Sequence, residues 1–228
     1  MSDELFHKII KDGKEFISYF VPFLNGEPFV FPRIWEWLDY MEKEEVKVSL
    51  VTNAEKVDTE RLAKYKNILM VYCSVNAATK ETHQKIMRGP DFDEVVKNTE
   101  RLMTMNPPFR VRASMVATKD SEHEIEAFKS KWGRRANIQP FKNWTGDIHD
   151  PMETTSKRKP CKLIRRGMTI LWDGRVVPCC MDYEGKQILG DVNKNTLREI
   201  WDNSEWFRKE HLKRNFNIIP CANCNHNI

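Results

Sequence analysis

The chain has no long hydrophobic run: the longest near its start, Phe16 to Leu24, is too short to span a bilayer. That run follows a charged, helix-like opening without a small-residue cleavage site, so it reads neither as a membrane anchor nor as a signal peptide. An excess of one charge is also missing. With 37 basic against 33 acidic residues the net charge is +4, and no basic stripe is interleaved with aromatics, which removes the usual argument for nucleic-acid binding. Cysteine is scarce, at six residues in 228. For a chain expected in the reducing cytoplasm, structural disulfides are excluded as the default, and the thiols are left for metal or redox chemistry. What remains is 40% apolar and 31% charged residues, enough to bury one large core with a small appendage.

The cysteines are unevenly spread. Cys73 stands alone early, whereas Cys161, Cys179, Cys180, Cys221 and Cys224 all fall in the last third. Before them the chain alternates between two periodicities. DELFHKIIKDGK is helical and FISYFVPFL strand-like; FPRIWEWLDYMEKEE is helical, with Ile34, Trp35, Leu38 and Met41 on one face, and VKVSLVTN is a strand. DTERLAKYK, DFDEVVKNTERLMTM and SEHEIEAFKSKW are then helical, and NILMVYCSVN, FRVRASMVA and ANIQPF are strands. Such β-α alternation predicts a parallel sheet with helical crossovers, as an open doubly wound sheet or a (β/α) barrel. Both place a ligand at the C-terminal ends of the strands. Polar residues appear where the apolar runs stop: Asn25-Gly26-Glu27-Pro28, then Thr52-Asn53, then Ser74 and Asn76. A few positioned donors and acceptors against apolar walls are what a small-molecule site needs, although Asn-Gly-Glu-Pro taken alone reads first as an ordinary turn.

From Cys161 the sequence CKLIRRGMTILWDGRVVPCC spells C-x12-G-x4-C, and C-x2-C follows at Cys221 and Cys224. Asp173-Gly174 is a hairpin turn signal between strands rich in Ile, Leu, Trp and Val, with Gly174 supplying the positive φ of a two-residue turn. A helix is expected from Thr196 through TLREIWDNSEWFRKEHLKRN, with Leu197, Ile200 and Trp201 inward. Thiolates from the hairpin region and a C-x2-C pair suit tetrahedral zinc or a cubane iron–sulfur cluster, and spacing alone leans to zinc.

This pattern resembles the SPASM/Twitch appendage of radical SAM enzymes, in which a Trp-Asp-Gly hairpin and a Pro-Cys-Cys-x-Asp stretch, here Pro178 to Asp182, lead to a final C-x2-C. Leu189 to Trp201 matches the stretch between that family's cysteine groups. The earlier region resembles the radical SAM partial barrel. Its Asn-Gly-Glu-Pro stands for the Gly-Gly-Glu-Pro-like motif, and Thr52-Asn53 for Thr-Asn-Gly, with Ala54 in place of the glycine. The resemblance implies an α/β fold: a partial (β/α) radical SAM barrel over residues 1–145, truncated at its N-terminus, and a small SPASM/Twitch β-hairpin and helix domain over 146–228. It implies that Cys161, Cys179, Cys221 and Cys224 ligate one auxiliary 4Fe-4S cluster; adjacent strand residues face opposite ways, so only one of Cys179 and Cys180 should face it, and the family spacing selects Cys179. It assigns Glu27 to the amino group of S-adenosylmethionine, with Gly26 allowing close backbone approach and Thr52, Asn53, Ser74 and Asn76 on the same cofactor.

One family feature has no counterpart. The C-x3-C-x2-C that holds the catalytic cluster belongs upstream of Glu27, and no cysteine stands among the residues before Asn25. The expectation is therefore the C-terminal part of a radical SAM oxidoreductase or maturase, inactive alone, with a catalytic 4Fe-4S cluster only if the missing segment is supplied, in frame or by a partner chain. The substrate would be a small molecule or peptide, an electron donor would be a further partner, and neither nucleic acid nor membrane is expected. The alternative is a non-catalytic iron–sulfur or zinc module on a barrel remnant.

Overall fold

The structure, a computed structural model, describes residues 1–147 and 158–225. Helix α1 (Asp3–Gly13) opens the chain, with the Ser2 hydroxyl accepting from Leu5 N at 3.3 Å to cap it. Contacts divide the molecule into two compact units, Ser18–Phe141 and Met1–Ile17 with Lys142–Ile228. Thus α1, which the sequence reading sets with the barrel, groups with the later residues.

In the Ser18–Phe141 unit, strands β1 (Val48–Thr52), β2 (Ile68–Ser74), β3 (Arg110–Ala117) and β4 (Ala136–Pro140) form one parallel sheet in that order. Helix α2 (Ile34–Lys43) precedes β1, and helices α3 (Thr59–Leu62), α4 (Lys80–Ile86), α5 (Phe92–Thr104) and α6 (Ile125–Trp132) lie in the crossovers. Because the order is sequential, with no reversal, the sheet follows a (β/α) barrel succession rather than a doubly wound one. Three of these helices, α3, α4 and α5, start where short acceptors cap them: Asp58 on Arg61 N, Thr79 on Thr82 N and Asp91 on Glu94 N. Leu50, Leu62, Leu102 and Met115 have no exposed surface, and burying each contributes about 2 kcal/mol.

Three expectations need correction here. The run Phe16 to Leu24 is not a strand. Only Phe20 bridges to Val48, with Phe20 N donating to Lys47 O at 2.8 Å and Ser49 N to Phe20 O at 2.9 Å. Pro22 has no N–H to continue the ladder, and Phe23 N turns back onto Val21 O, so Tyr19 and Val21 are left exposed. On α2 the buried stripe is Ile34, Trp37, Leu38 and Met41; Trp35 lies half-buried, stacked on Tyr65. Helix α4, which sequence periodicity does not reveal, carries the fully buried His83.

In the other unit, α7 (Lys162–Arg166) follows Cys161, and strands β5 (Thr169–Ile170) and β6 (Arg175–Val177) form the expected hairpin. Gly174 adopts φ +97° at its turn. A third strand, β7 (Gly190–Asp191), pairs antiparallel with β6. The single helix expected from Thr196 is two: α8 (Leu197–Asn203) and α9 (Glu205–Leu212). Thr196 and Glu199 form a reciprocal capping box at the start of α8. The break falls at Ser204, whose hydroxyl donates to Trp201 O at 3.0 Å, the kind of local side-chain bond that competes with helix continuation. Lys8 on α1 donates to Val192 O at 2.6 Å and Asn195 O at 3.2 Å, which ties α1 beside α8.

Candidate functional site

The first cluster of predicted residues lies at the C-terminal edge of the parallel sheet. Gly26 has φ +124°, a conformation that favours glycine, and the chain then turns into a short 3-10 helix at Pro28–Val30. This presents the half-buried Glu27 carboxylate to the end of β1. Its Oε1 accepts from Phe29 N at 3.1 Å and from the Thr52 hydroxyl at 2.6 Å, and its Oε2 accepts from Asn53 N at 2.5 Å. Thr52 Oγ1 in turn accepts from Ala54 N at 2.9 Å. A carboxylate offers about four acceptor positions, so three protein donors leave one on Oε2 for a ligand donor. Ala54 takes φ +62° with no exposed surface, keeping the left-handed backbone of the glycine that the related motif carries there.

Thus the structure brings Gly26, Glu27, Thr52 and Asn53 into one network. Ser74 and Asn76 stand at the end of the neighbouring strand. Asn76 mainly ties β2 to β3: its N donates to Ser114 O at 2.9 Å and its Oδ1 accepts from Val116 N at 3.0 Å. Ser74 lies in register with Ser114, and Ser114 with Asn137, whose Nδ2 donates to Ser114 Oγ at 3.0 Å. This polar row across β2, β3 and β4 extends the rim beyond the residues sequence reading selects. Its signal is a polar residue at the matching step of each strand pattern. Cys73 has no exposed surface, and burial pushes its thiol up to about 12, so it is an inert core residue.

The second cluster is a small cavity within the later unit. Cys161, Cys179, Cys221 and Cys224 all line it, together with Leu163, Ile164, Met181 and His211. Cys161, Cys179 and Cys221 are 7%, 8% and 4% exposed. Burial, reinforced by the other thiols, raises the Cys179 thiol well above its ordinary range and pushes Cys221 up to about 12. A metal bound by the Cys179 and Cys221 sulfurs would have to displace their protons. Among the described residues no three His, Cys, Asp or Glu side chains converge closely enough to hold a single ion. The four thiols border the cavity from three segments, at Cys161, at Cys179 and in the turn from Cys221 to Cys224. As soft sulfur donors in an apolar pocket they fit an iron–sulfur cluster or zinc in kind.

Cys179 and Cys180 lie just beyond β6, in a bend closed by Asp182 N on Cys179 O at 3.1 Å, so strand alternation does not separate them. Instead Cys179 is buried on the cavity while Cys180 is half-buried; the Cys180 thiol, raised mainly by burial, still feels Cys161 and Cys224. Asp182, 1% exposed, accepts from Lys186 N at 2.8 Å and Gln187 N at 3.0 Å and so holds that bend. Asn143 anchors the other thiol pair. It receives Asn225 N on Oδ1 at 3.0 Å, donates Nδ2 to Asn223 O at 2.7 Å, and gives its own N to Asn225 Oδ1 at 2.9 Å. Sequence reading misses His211, Arg158 and Asn143.

Comparison with known proteins gives this arrangement a family. The radical SAM superfamily model matches residues 1–130, more than half of the chain. The chain belongs to the radical SAM superfamily. The SPASM model, described as an iron-sulfur cluster-binding domain, matches residues 161–225, the span that contains every thiol on the cavity. The mycofactocin maturase MftC of Mycolicibacterium smegmatis is 24% identical over 264 residues, covering 96% of this chain and 66% of that protein. Among solved structures, BtrN in complex with AdoMet and 2-DOIA matches at TM-score 0.67 and 15% identity, over 99% of this chain and 80% of BtrN. SuiB of Streptococcus suis, bound to the precursor peptide SuiA, matches at TM-score 0.71 and 16% identity, over 99% of this chain and 63% of SuiB. The radical SAM chain thus spans just under two thirds of the length of MftC and of SuiB.

Proposed function

We propose that this chain provides the S-adenosylmethionine rim and the auxiliary-cluster site of a radical SAM/SPASM enzyme acting on a small molecule or peptide. The observation that carries this reading is that four cysteines from three segments line one cavity, inside the span matched by the cluster-binding family. S-adenosylmethionine, when reductively cleaved in such enzymes, supplies a carbon radical that abstracts hydrogen from the substrate.

The chain's own residues do the positioning. Glu27, braced by Thr52, Asn53 N and Phe29 N, keeps one acceptor position for the cofactor's ammonium, a charge-assisted bond whose direction is set before binding. Gly26, which has open space where a side chain would begin, lets the ligand approach the backbone. Ser74 and Asn76, at the end of the neighbouring strand, are assigned to the cofactor's sugar hydroxyls. In the other unit Cys161, Cys179, Cys221 and Cys224 hold one 4Fe-4S cluster in an apolar pocket, the setting in which charge changes on the metal are least screened. The likeness to SuiB bound to a precursor peptide and to a maturase supports a peptide substrate, and that to BtrN with 2-DOIA a small molecule.

The 228 residues contain no C-x3-C-x2-C, so the ligands of a catalytic cluster are assigned to a further segment or partner chain, with an electron donor as the second partner. The test is product analysis after supplying S-adenosylmethionine and dithionite to the iron-loaded chain. The expected result is no 5'-deoxyadenosine. Formation by the chain alone would overturn this assignment and require some of its six cysteines to build the catalytic site.

A further inference from the structure

On α9, His211 projects into the thiol cavity and is 1% exposed. Its ring lies between two phenylalanines, stacked on Phe207 at 5.7 Å between centroids and meeting Phe216 edge-on at 5.3 Å. One ring nitrogen, Nε2, sits 3.2 Å from Cys221 Sγ; the other, Nδ1, is buried and has no hydrogen-bond partner among the described residues. Among the described residues, Cys221 is the polar partner of this imidazole. Arg158 braces the same thiol from the backbone side, donating to Cys221 O at 2.8 Å while lying over the Phe216 ring.

A buried histidine with a single polar partner spends that partner deliberately, because burying an imidazole with its polar atoms unmatched is costly. A metal-bound thiolate can only accept. Beside it, the proton of a neutral imidazole must therefore sit on Nε2, which makes Nδ1 the bare lone pair in the apolar wall.

We propose that His211 is a positioning residue of the auxiliary cluster, donating Nε2–H to the Cys221 sulfur and thereby raising the cluster's reduction potential. The inference rests on the reading that the four cysteines hold a 4Fe-4S cluster. Reduction adds one electron, delivered by a one-electron donor, and part of the added negative charge resides on the ligand sulfurs. A hydrogen bond to such a sulfur stabilises the reduced state more than the oxidised one. The proton stays on Nε2 in both states. The low local dielectric makes the effect larger than it would be at an exposed sulfur.

The test compares the reconstituted chain with His211→Phe, which keeps a ring between Phe207 and Phe216, and His211→Gln, which keeps a side-chain N–H. Iron and sulfide are counted first, and the midpoint is then read by redox titration followed by electron paramagnetic resonance. The expected result is equal loading in all three chains. At a fixed potential near the midpoint, His211→Phe should show a reduced-to-oxidised ratio lower by about tenfold, a shift of ~59 mV for one electron, with most of it recovered in His211→Gln. An unchanged midpoint in His211→Phe overturns the proposal, as does failure of His211→Gln to recover any of the shift. In the unmodified chain labelled with 15N-histidine, the reduced cluster should show a weak nitrogen coupling that His211→Gln removes. No coupling overturns the proposal, and a coupling as strong as that of a directly bound ring would make His211 a ligand instead. If the unmodified chain takes up no iron and sulfide, the cluster reading falls and this inference with it.

Discussion

Removing the Glu27 carboxylate tests whether the sheet edge is a built acceptor site. In Glu27→Ala, Phe29 N and Asn53 N both lose their acceptor, while the Thr52 hydroxyl can turn to water and still accept from Ala54 N. A hydrogen bond to a charged group is worth about 1.5–3 kcal/mol, and the lower end applies because Glu27 is only half-buried. Two lost bonds then cost about 3 kcal/mol of stability. A ligand ammonium loses its own charge-assisted bond as well, which weakens binding by roughly ten- to a hundredfold. Glu27→Gln separates the two effects. Its one amide oxygen can keep part of the buttress, so about half the stability should survive, but its NH2 cannot accept and its charge is gone, so most of the affinity should not. The assays are urea unfolding and equilibrium dialysis with S-adenosylmethionine. If both variants unfold within about 0.5 kcal/mol of the parent, the range of an ordinary surface change, and bind equally, the carboxylate is not organising this edge.

Other substitutions follow from single observations. Asp182→Ala strips the acceptor from Lys186 N and Gln187 N at a buried site and should cost about 3 kcal/mol in urea unfolding, whereas a surface-sized effect would remove its role in holding the Cys179 bend. Ala54→Gly relieves a buried alanine at φ +62°; the relief of about 1–2 kcal/mol should exceed the added chain entropy of about 0.4–1 kcal/mol, giving a small rise in Tm where an ordinary Ala→Gly change gives a fall. Cys161→Ala and Cys224→Ala should abolish iron loading, while Cys73→Ala, distant in sequence and packed in the sheet core, should load as the parent does; equal loss in all three would refute the division of the cysteines.

The sheet was legible because its strands are β-branched runs that end in polar residues, and period-2 burial follows directly from them, as in the alternation along Val48–Thr52. Glu27, Thr52 and Asn53 were legible as a set only through a motif, since each alone is ordinary turn chemistry; the hydrogen bonds that join them cross 25 and 26 residues of sequence. Phe16 to Leu24 misleads because its apolarity suits a strand while Pro22 removes a ladder donor. The helix starting at Thr196 divides at Ser204 for a reason that hydrophobic period does not register, a side chain bonding back to its own backbone. Helix α4 is short and nearly all polar, so burial of His83 by Phe92, a tertiary effect, defines it. His211 carries a faint signal, standing one helical turn after Phe207 on the buried face, yet a lone histidine among Arg, Lys and Glu reads as surface.

One cubane held by the four cysteines around the later unit's cavity has a countable signature. It is tested most directly by counting iron, acid-labile sulfide and zinc per chain after anaerobic reconstitution. The expected result is about four irons and four sulfides per chain, as one cubane requires, with no zinc. One bound zinc per chain with no sulfide would contradict it and leave the cavity a tetrahedral structural site.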